Sequence, residues 1–245
     1  KVGLPFFVEV ETHSYCNRTC GWCPNGWSNR GKERKHISDG AWQAVLKDLE
    51  EVNYKGWFAF HNYNEPLSDP TIFDKVQEAR QRLPNAQLSL FTNGDYLTSE
   101  RLTALITYGV DYLRVTLYPV PSHAFDPPQS ERMAAFLRRM DLTDAHVAVE
   151  AEKHLEGTVQ LDSMQLHLIV PRIADYGNRG GSVLLEGLTS LGNRRTRPCY
   201  LPFRSVAVDH HGNLKLCCEI YDTHVPQNRV YVIGDVERDG LLNLW

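Results

Sequence analysis

The 245-residue sequence has no apolar run approaching the ~20 residues that a membrane-spanning helix needs. It also lacks a dominant charge. Twenty-six Lys and Arg stand against 30 Asp and Glu, a formal net charge of -4, so nothing global attracts nucleic acid or an anionic membrane surface. No basic, apolar, small-residue signal pattern follows Lys1, although the missing initiator methionine leaves the true start open. Cysteine is scarce as well: there are six, five of them in two tight groups, which suits metal binding in a reducing cytoplasm better than a secreted disulfide framework. The length fits one large α/β domain, or a domain with a small appendage.

The scarce cysteines carry the strongest signal. Cys16-Asn-Arg-Thr-Cys20-Gly-Trp-Cys23 places three thiols at spacings that let them converge on one inorganic centre, with polar residues between them that suit an exposed loop. Clustered thiols in a chain poor in others are seldom packing residues, because a thiolate near neutral pH needs an electropositive or metal-bound setting. Three ligands are one short of the four that close a cubane iron-sulfur cluster, which leaves one iron free to bind something else. A structural zinc that adds His13 to the same cysteines is a second reading. A disulfide is a third, with one thiol left over.

The rest of the chain alternates strand and helix patterns. Phe6–Glu11 alternates apolar and charged residues and delivers the chain to the cysteine loop, followed by a basic stretch with Arg30, Lys32, Arg34 and Lys35. Ser38 and Asp39 offer an N-cap for a helix through Trp42, Val45, Leu46 and Leu49. Further strands are expected at Gly56–Phe60, Gln87–Phe91, Tyr112–Leu117, His146–Glu150 and Gln165–Val170. Helices are expected after Pro70, after Thr98 and over Glu131–Met140; the stretch Lys153–Asp162 lacks clean helical periodicity. Such alternation implies a parallel sheet with right-handed crossovers, here an open or partial (β/α)6 TIM-like barrel, with its site at the carboxyl ends of the strands. The cysteine loop, Asn64-Glu65-Pro66-Leu67 and Thr92-Asn93-Gly94 all fall at such ends. After the last of these strands, Asn178-Arg179-Gly180-Gly181 marks the end of the barrel. Beyond it, Cys199 precedes and Cys217-Cys218 ends a β-hairpin built on Phe203–Val208, the turn Asp209-His-His-Gly212, and Asn213–Cys217.

The spacing of Cys16, Cys20 and Cys23, with the aromatic Trp22 before the last, resembles the radical S-adenosylmethionine (SAM) superfamily. That resemblance implies a [4Fe-4S] cluster on these cysteines, with SAM chelating the open iron. In the superfamily an electron from the cluster cleaves SAM, and the 5'-deoxyadenosyl radical so formed removes a hydrogen atom from the substrate. It implies that Asn64 and Glu65 stand where a Gly-Gly-Glu-type motif receives the SAM amino group, although Tyr63-Asn64 replaces the glycines. Asn93 occupies the corresponding strand-three turn. Thr116 and Glu150, on the fourth and fifth strands, face either the SAM ribose and carboxylate or solvent. The hairpin with Cys199 and Cys217 resembles the SPASM/twitch extension, which carries an auxiliary [4Fe-4S] cluster. Further cysteines follow in that extension, and none follows Trp245 here. Either the natural chain continues or Cys218 or a non-cysteine ligand completes the set.

The expected division is a radical SAM barrel over 1–181 and an auxiliary-cluster region over 182–245. The expected function is hydrogen abstraction from a small polar metabolite, sugar or aminocyclitol, ending in dehydrogenation or epimerisation, with a flavodoxin or ferredoxin-type reductant. A maturase acting on a ribosomally made peptide is the close alternative. A zinc- or nucleic-acid-binding protein without catalysis is the rival from another class, supported by the basic stretches Arg30–Lys35 and Arg194–Arg197.

Overall fold

The computed structural model describes residues 3–29, 32, 34–119, 128–143, 147–150, 155–172, 179, 182–183 and 196–245. Arg30, Arg194, His146, Lys153 and the 178–181 turn apart from Arg179 lie outside them. Strands β1 (Phe7–Val10), β2 (Trp57–Ala59), β3 (Gln87–Thr92) and β4 (Tyr112–Thr116) alternate with helices α1 (Asp39–Glu51), α2 (Ile72–Arg82) and α3 (Ser99–Thr107). Then follow α4 (Gln129–Arg139), β5 (Ala148–Glu150), β6 (Leu155–Leu161), β7 (Met164–Val170), β8 (Ser205–Val208), β9 (Asn213–Lys215) and β10 (Val232–Asp235), and two short helices, α5 (Val236–Asp239) and α6 (Leu241–Leu244). All ten strands join one sheet in the order β10-β9-β8-β1-β2-β3-β4-β7-β6-β5.

Helix starts follow local chemistry. The Ser38 side chain accepts from Ala41 N and the Thr98 side chain from Arg101 N, each satisfying a donor that the first turn leaves open. Ahead of α2 the buried Asp69 fixes the entering turn instead, accepting from Thr71 N and Thr71 Oγ1. The strands are two-sided. Val8, Val10, Phe58, Phe60, Leu88, Leu90, Leu113 and Val115 are buried against Trp42, Leu46, Leu49, Val76 and Leu105 of the helices. Each such side chain contributes about 1.5–3 kcal/mol by leaving water. Their neighbours in sequence, Glu9, Phe91, Arg114 and Thr116, point to the other face, and these line a cavity.

Six strands do run parallel, β8-β1-β2-β3-β4-β7, but they are not the six expected. The strand at 148–150 pairs antiparallel to β6, which itself runs antiparallel to β7. The segment with poor helical periodicity is therefore strand β6. Gly157 and Val159 are buried while Gln160 is exposed, and Asp162, at φ +48°, closes a tight turn into β7. Strand alternation, with a turn residue tolerant of positive φ, overrides the expectation of a crossover helix. The sixth parallel strand comes from the far end of the chain, where β8 pairs with β1 from Phe7↔Ser205 to Val10↔Val208. The expected hairpin is present as β8 and β9, and it continues the main sheet. Gly212, at φ +82°, and the Asp209 side chain, which accepts from His211 N and Asn213 N, make its turn. No helix among the described residues is long and apolar enough to cross a membrane.

Candidate active site

Strand β1 ends at Val10, and the chain turns through buried Glu11, Thr12, His13 and Ser14 into the cysteine loop. Backbone bonds hold this turn, with Ser14 N donating to Lys35 O and Ile37 N to Thr12 O. On the outer side Arg18 donates twice to Asp95, at 2.7 and 2.5 Å, and Asn17 donates to the same carboxylate at 2.7 Å. The loop is thereby tied to the segment after β3. Cys16, Cys20, Trp22 and Cys23 line a cavity of about 290 Å³ at the carboxyl ends of the strands. Trp22 is buried and lies 6.0 Å, centroid to centroid, from Tyr118 beyond β4.

Glu65 faces the thiols from the exit of β2. It is 2% exposed and accepts from Thr92 Oγ1 at 2.5 Å, Asn93 N at 2.7 Å and Leu67 N at 3.1 Å. Burial still outweighs these donors and pushes its pKa up to about 7. The Asn93 side chain donates to Asn17 Oδ1 at 2.8 Å and lies 3.9 Å from Cys16 Sγ. Asn64 also borders the cavity, with its amide turned to Thr12, His13 and the Phe60 carbonyl. Thr116 lines the cavity from the end of β4. Glu150 falls on β5, the antiparallel edge strand, and its side chain lies outside the described residues.

The second cysteine group meets the cavity differently. Neither Cys199, ahead of the turn Leu201–Phe203, nor Cys217, after β9, is among the lining residues, whereas Cys218 and Glu219 are. Three contacts dock this segment on the exit of β2. Asn62 Nδ2 donates to Cys218 O, Tyr63 Oη to Glu219 O, and the buried Lys215 Nζ to both Asn62 Oδ1 and Ile220 O. Arg179 adds an ion pair to Glu219 at 3.3 Å.

Sequence reasoning did not single out Glu9, His61, Arg114, Tyr118 and Glu219 as site residues, yet all line the cavity. The signal for Glu9 was available: a charged residue on a central parallel strand has helices on one side of it and the barrel interior on the other. Burial pushes the Glu9 carboxyl up to about 7, with Lys215 opposing and Glu219 reinforcing the shift. Burial and the Arg114 guanidinium push His61 down to about 3, so its imidazole is neutral at physiological pH. His61 stacks on Phe91 at 4.0 Å, and Arg114 lies over the other side of that row, 4.6 Å from the Phe91 ring centre.

With this geometry described, the comparisons can be placed. Residues 10–121, a little under half of the chain, match the Radical SAM superfamily, in line with the expectation from the cysteine spacing. The chain is 27% identical over 238 residues to the S-adenosyl-L-methionine-dependent 2-deoxy-scyllo-inosamine dehydrogenase of Niallia circulans, covering 97% of this chain and 81% of that protein. Its fold resembles the crystal structure of BtrN in complex with AdoMet and 2-DOIA, with a TM-score of 0.70 and 24% identity over 100% of this chain and 83% of that one. A PqqA peptide cyclase of Streptomyces rochei is 30% identical over only 117 residues, 47% of this chain and 30% of that protein.

The superfamily uses a [4Fe-4S] cluster and SAM, and the residues fit that pair. Cys16, Cys20 and Cys23 all line the cavity. Beside them, Arg18 Nη1 and Asn25 Oδ1 are buried without a hydrogen-bond partner among the described residues. Such orphaned groups cost about 1–3 kcal/mol each unless a ligand satisfies them. Burial pushes the Cys16 and Cys20 thiols up to about 12, so without a metal they stay protonated near neutral pH, and a bound cluster would supply the compensating charge that a thiolate needs. The zinc alternative fails on His13. Its Nε2 bonds to Ser68 Oγ at 2.9 Å and its Nδ1 faces Thr12 and Asn64, and it is not among the cavity-lining residues.

Proposed function

We propose that this chain is a radical SAM dehydrogenase of a small polyhydroxylated metabolite, an aminocyclitol or sugar. The observation that carries the reading is one cavity lined by three thiols and by the charged side chains Glu9, Arg114, Arg179 and Glu219. A polyol or amino-polyol offers the hydroxyl and ammonium groups that such a lining recognises. The likeness to the inosamine dehydrogenase runs through the hairpin region, whereas that to the peptide cyclase is confined to about half of the chain. This favours a small substrate over a peptide.

Cys16, Cys20 and Cys23 hold the cluster in this reading. Glu65 and Asn93 receive the SAM amino group, and Thr116 attends its ribose and carboxylate; Glu150, on the antiparallel edge strand, has no part in this reading. Trp22 and Asn64 shape the wall behind it. When bound, the cluster and SAM supply an electron and a carbon-centred oxidant that takes one hydrogen atom from the substrate. Cys199 and Cys217 supply ligands to an auxiliary [4Fe-4S] cluster, set back from the cavity, that takes up the second electron. A flavodoxin or ferredoxin-type protein is the reductant.

Anaerobic reconstitution tests the reading. The iron-loaded protein, given reductant, SAM and 2-deoxy-scyllo-inosamine, is expected to yield 5'-deoxyadenosine and a ketone in near-equal amounts. A colourless, zinc-containing protein that forms no 5'-deoxyadenosine would overturn it. Product formation only with a peptide substrate would move it to the maturase class.

A further inference from the structure

Three carboxylates stand around the exits of β1 and β2, Glu11 and Glu65 buried and Glu9 partly exposed, and they differ in how well they are satisfied. Glu65 accepts three donors within 3.1 Å. Glu11 accepts from Tyr63 N and His210 Nδ1, both at 2.9 Å. Among the described residues Glu9 has only the Asn62 amide, at 3.5 Å, and His61 Nε2 at 3.6 Å, too long for a good hydrogen bond. It lines the cavity with a side chain 15% exposed. A carboxylate largely withdrawn from water and so weakly paired in the fold has room for a donor from a ligand in the cavity.

We propose that Glu9 is the general base of this site, accepting the hydroxyl proton of the substrate as the adjacent carbon is oxidised, with Lys215 acting on it through the Asn62 amide. The assignment rests on the dehydrogenase reading above. The step balances. The substrate C–H bond breaks homolytically and its hydrogen atom goes to the SAM-derived oxidant. The O–H bond breaks heterolytically, its proton passing to a Glu9 carboxylate oxygen. The remaining electron goes to a one-electron acceptor, an iron-sulfur cluster of the hairpin region, and the C=O bond forms.

The surroundings suit the task. The titratable groups that face Glu9 are Glu11 on its own strand's extension, His61 at the exit of β2, Lys215 on β9, and Cys218 and Glu219 beyond it. Burial, Glu219 and Glu11 favour the protonated carboxyl, and Lys215 and the Asn62 donor favour the ionised one. The balance lies near 7, where a general base accepts and sheds a proton with least cost. His61 stays neutral and adds no fixed positive charge. Lys215 Nζ holds Asn62 Oδ1 at 2.7 Å, which turns the Asn62 amide nitrogen toward Glu9. The tuning cation therefore comes from the hairpin that ends in the second cysteine group.

The test uses the cluster-loaded protein with 2-deoxy-scyllo-inosamine deuterated at the oxidised carbon, reading deuterium in 5'-deoxyadenosine and ketone per 5'-deoxyadenosine across pH 6 to 9. In the wild type, deuterium transfers and the ketone ratio rises with pH through about 7 as Glu9 ionises. Glu9→Gln is expected to keep deuterium transfer while lowering the ketone ratio about 10²-fold and flattening the profile. Glu9→Asp restores part of the ratio. Lys215→Met is expected to move the midpoint to higher pH, a change that simple loosening of the hairpin does not produce. A Glu9→Gln protein with the wild-type ratio and profile overturns the base while leaving the dehydrogenase reading intact. Absence of deuterium transfer in the wild type overturns that reading, and the base falls with it.

Discussion

The two cysteine groups meet the same cavity in different ways. All three thiols of the first group line it. In the second, Cys199 and Cys217 stay out of the lining, and contact passes through Cys218, Glu219 and the Lys215–Asn62 link. A group that reacts with the substrate's partner molecule must share its space. A group that only receives an electron can stand behind a wall of side chains. On the proposed reading, the contrast separates where the radical would be made from where the surplus electron would go.

The sharpest break in that comparison comes from the thiols themselves. Replacing Cys16, Cys20 or Cys23 by Ala is expected to abolish 5'-deoxyadenosine formation, whereas Cys217→Ala should retain SAM cleavage and lose turnover to ketone. Both are read by chromatography of the same quenched reaction. Equal loss in the two groups would erase the distinction. Next in size is Glu65→Gln. Loss of one charge-assisted partner is worth about 1.5–3 kcal/mol, so SAM affinity should fall at least tenfold by equilibrium dialysis.

Glu9 and Glu65 also make a pH prediction for the cofactor-free chain. Both hold their protons more tightly folded, near 7, than at the ordinary carboxyl value of 4.5. The folded state binds more protons at these two groups between these values, so their contribution to stability is fully present below about pH 4.5 and is lost as pH rises through about 7. Glu9→Gln removes the charge that must be buried. It should stabilise the chain against urea by about 1–3 kcal/mol at pH 8 and by little at pH 4.5. A gain independent of pH would show that the Glu9 carboxyl is not raised. The smallest effect is expected for Asp95→Ala. The pair with Arg18 is partly exposed, so its loss should cost about 1 kcal/mol or less, seen as slower iron uptake at the first cysteine group and no change at the second.

Much of this was readable from residues alone. Three cysteines within eight positions of one another name their chemistry, because few other arrangements use thiols so close together. The N-caps at Ser38 and Thr98 and strands β1 to β4 follow from local rules, and the structure places Trp22, Asn64, Glu65, Asn93 and Thr116 in one cavity with the cysteines. The region around Gly157 was harder. Its alternation is interrupted by Thr158 and Gln160 on one side only, so it reads as a weak helix until β7 is there to pair with it.

Glu9 shows the same limit at the site. Its place in an alternating strand is written in the sequence, but nothing local says whether that face meets water or a cavity. That is decided by β8, nearly 200 positions later, closing against β1, and by Lys215 arriving beside Asn62. The sequence by itself determined the ligands, the caps and the parallel strand-helix rhythm, all of which depend on neighbours in the chain. Only the tertiary structure decided which strands became the sixth parallel member and the antiparallel edge, and which carboxylate was left short of donors. Long-range pairing and burial depend on what the fold brings near, not on what the chain places next.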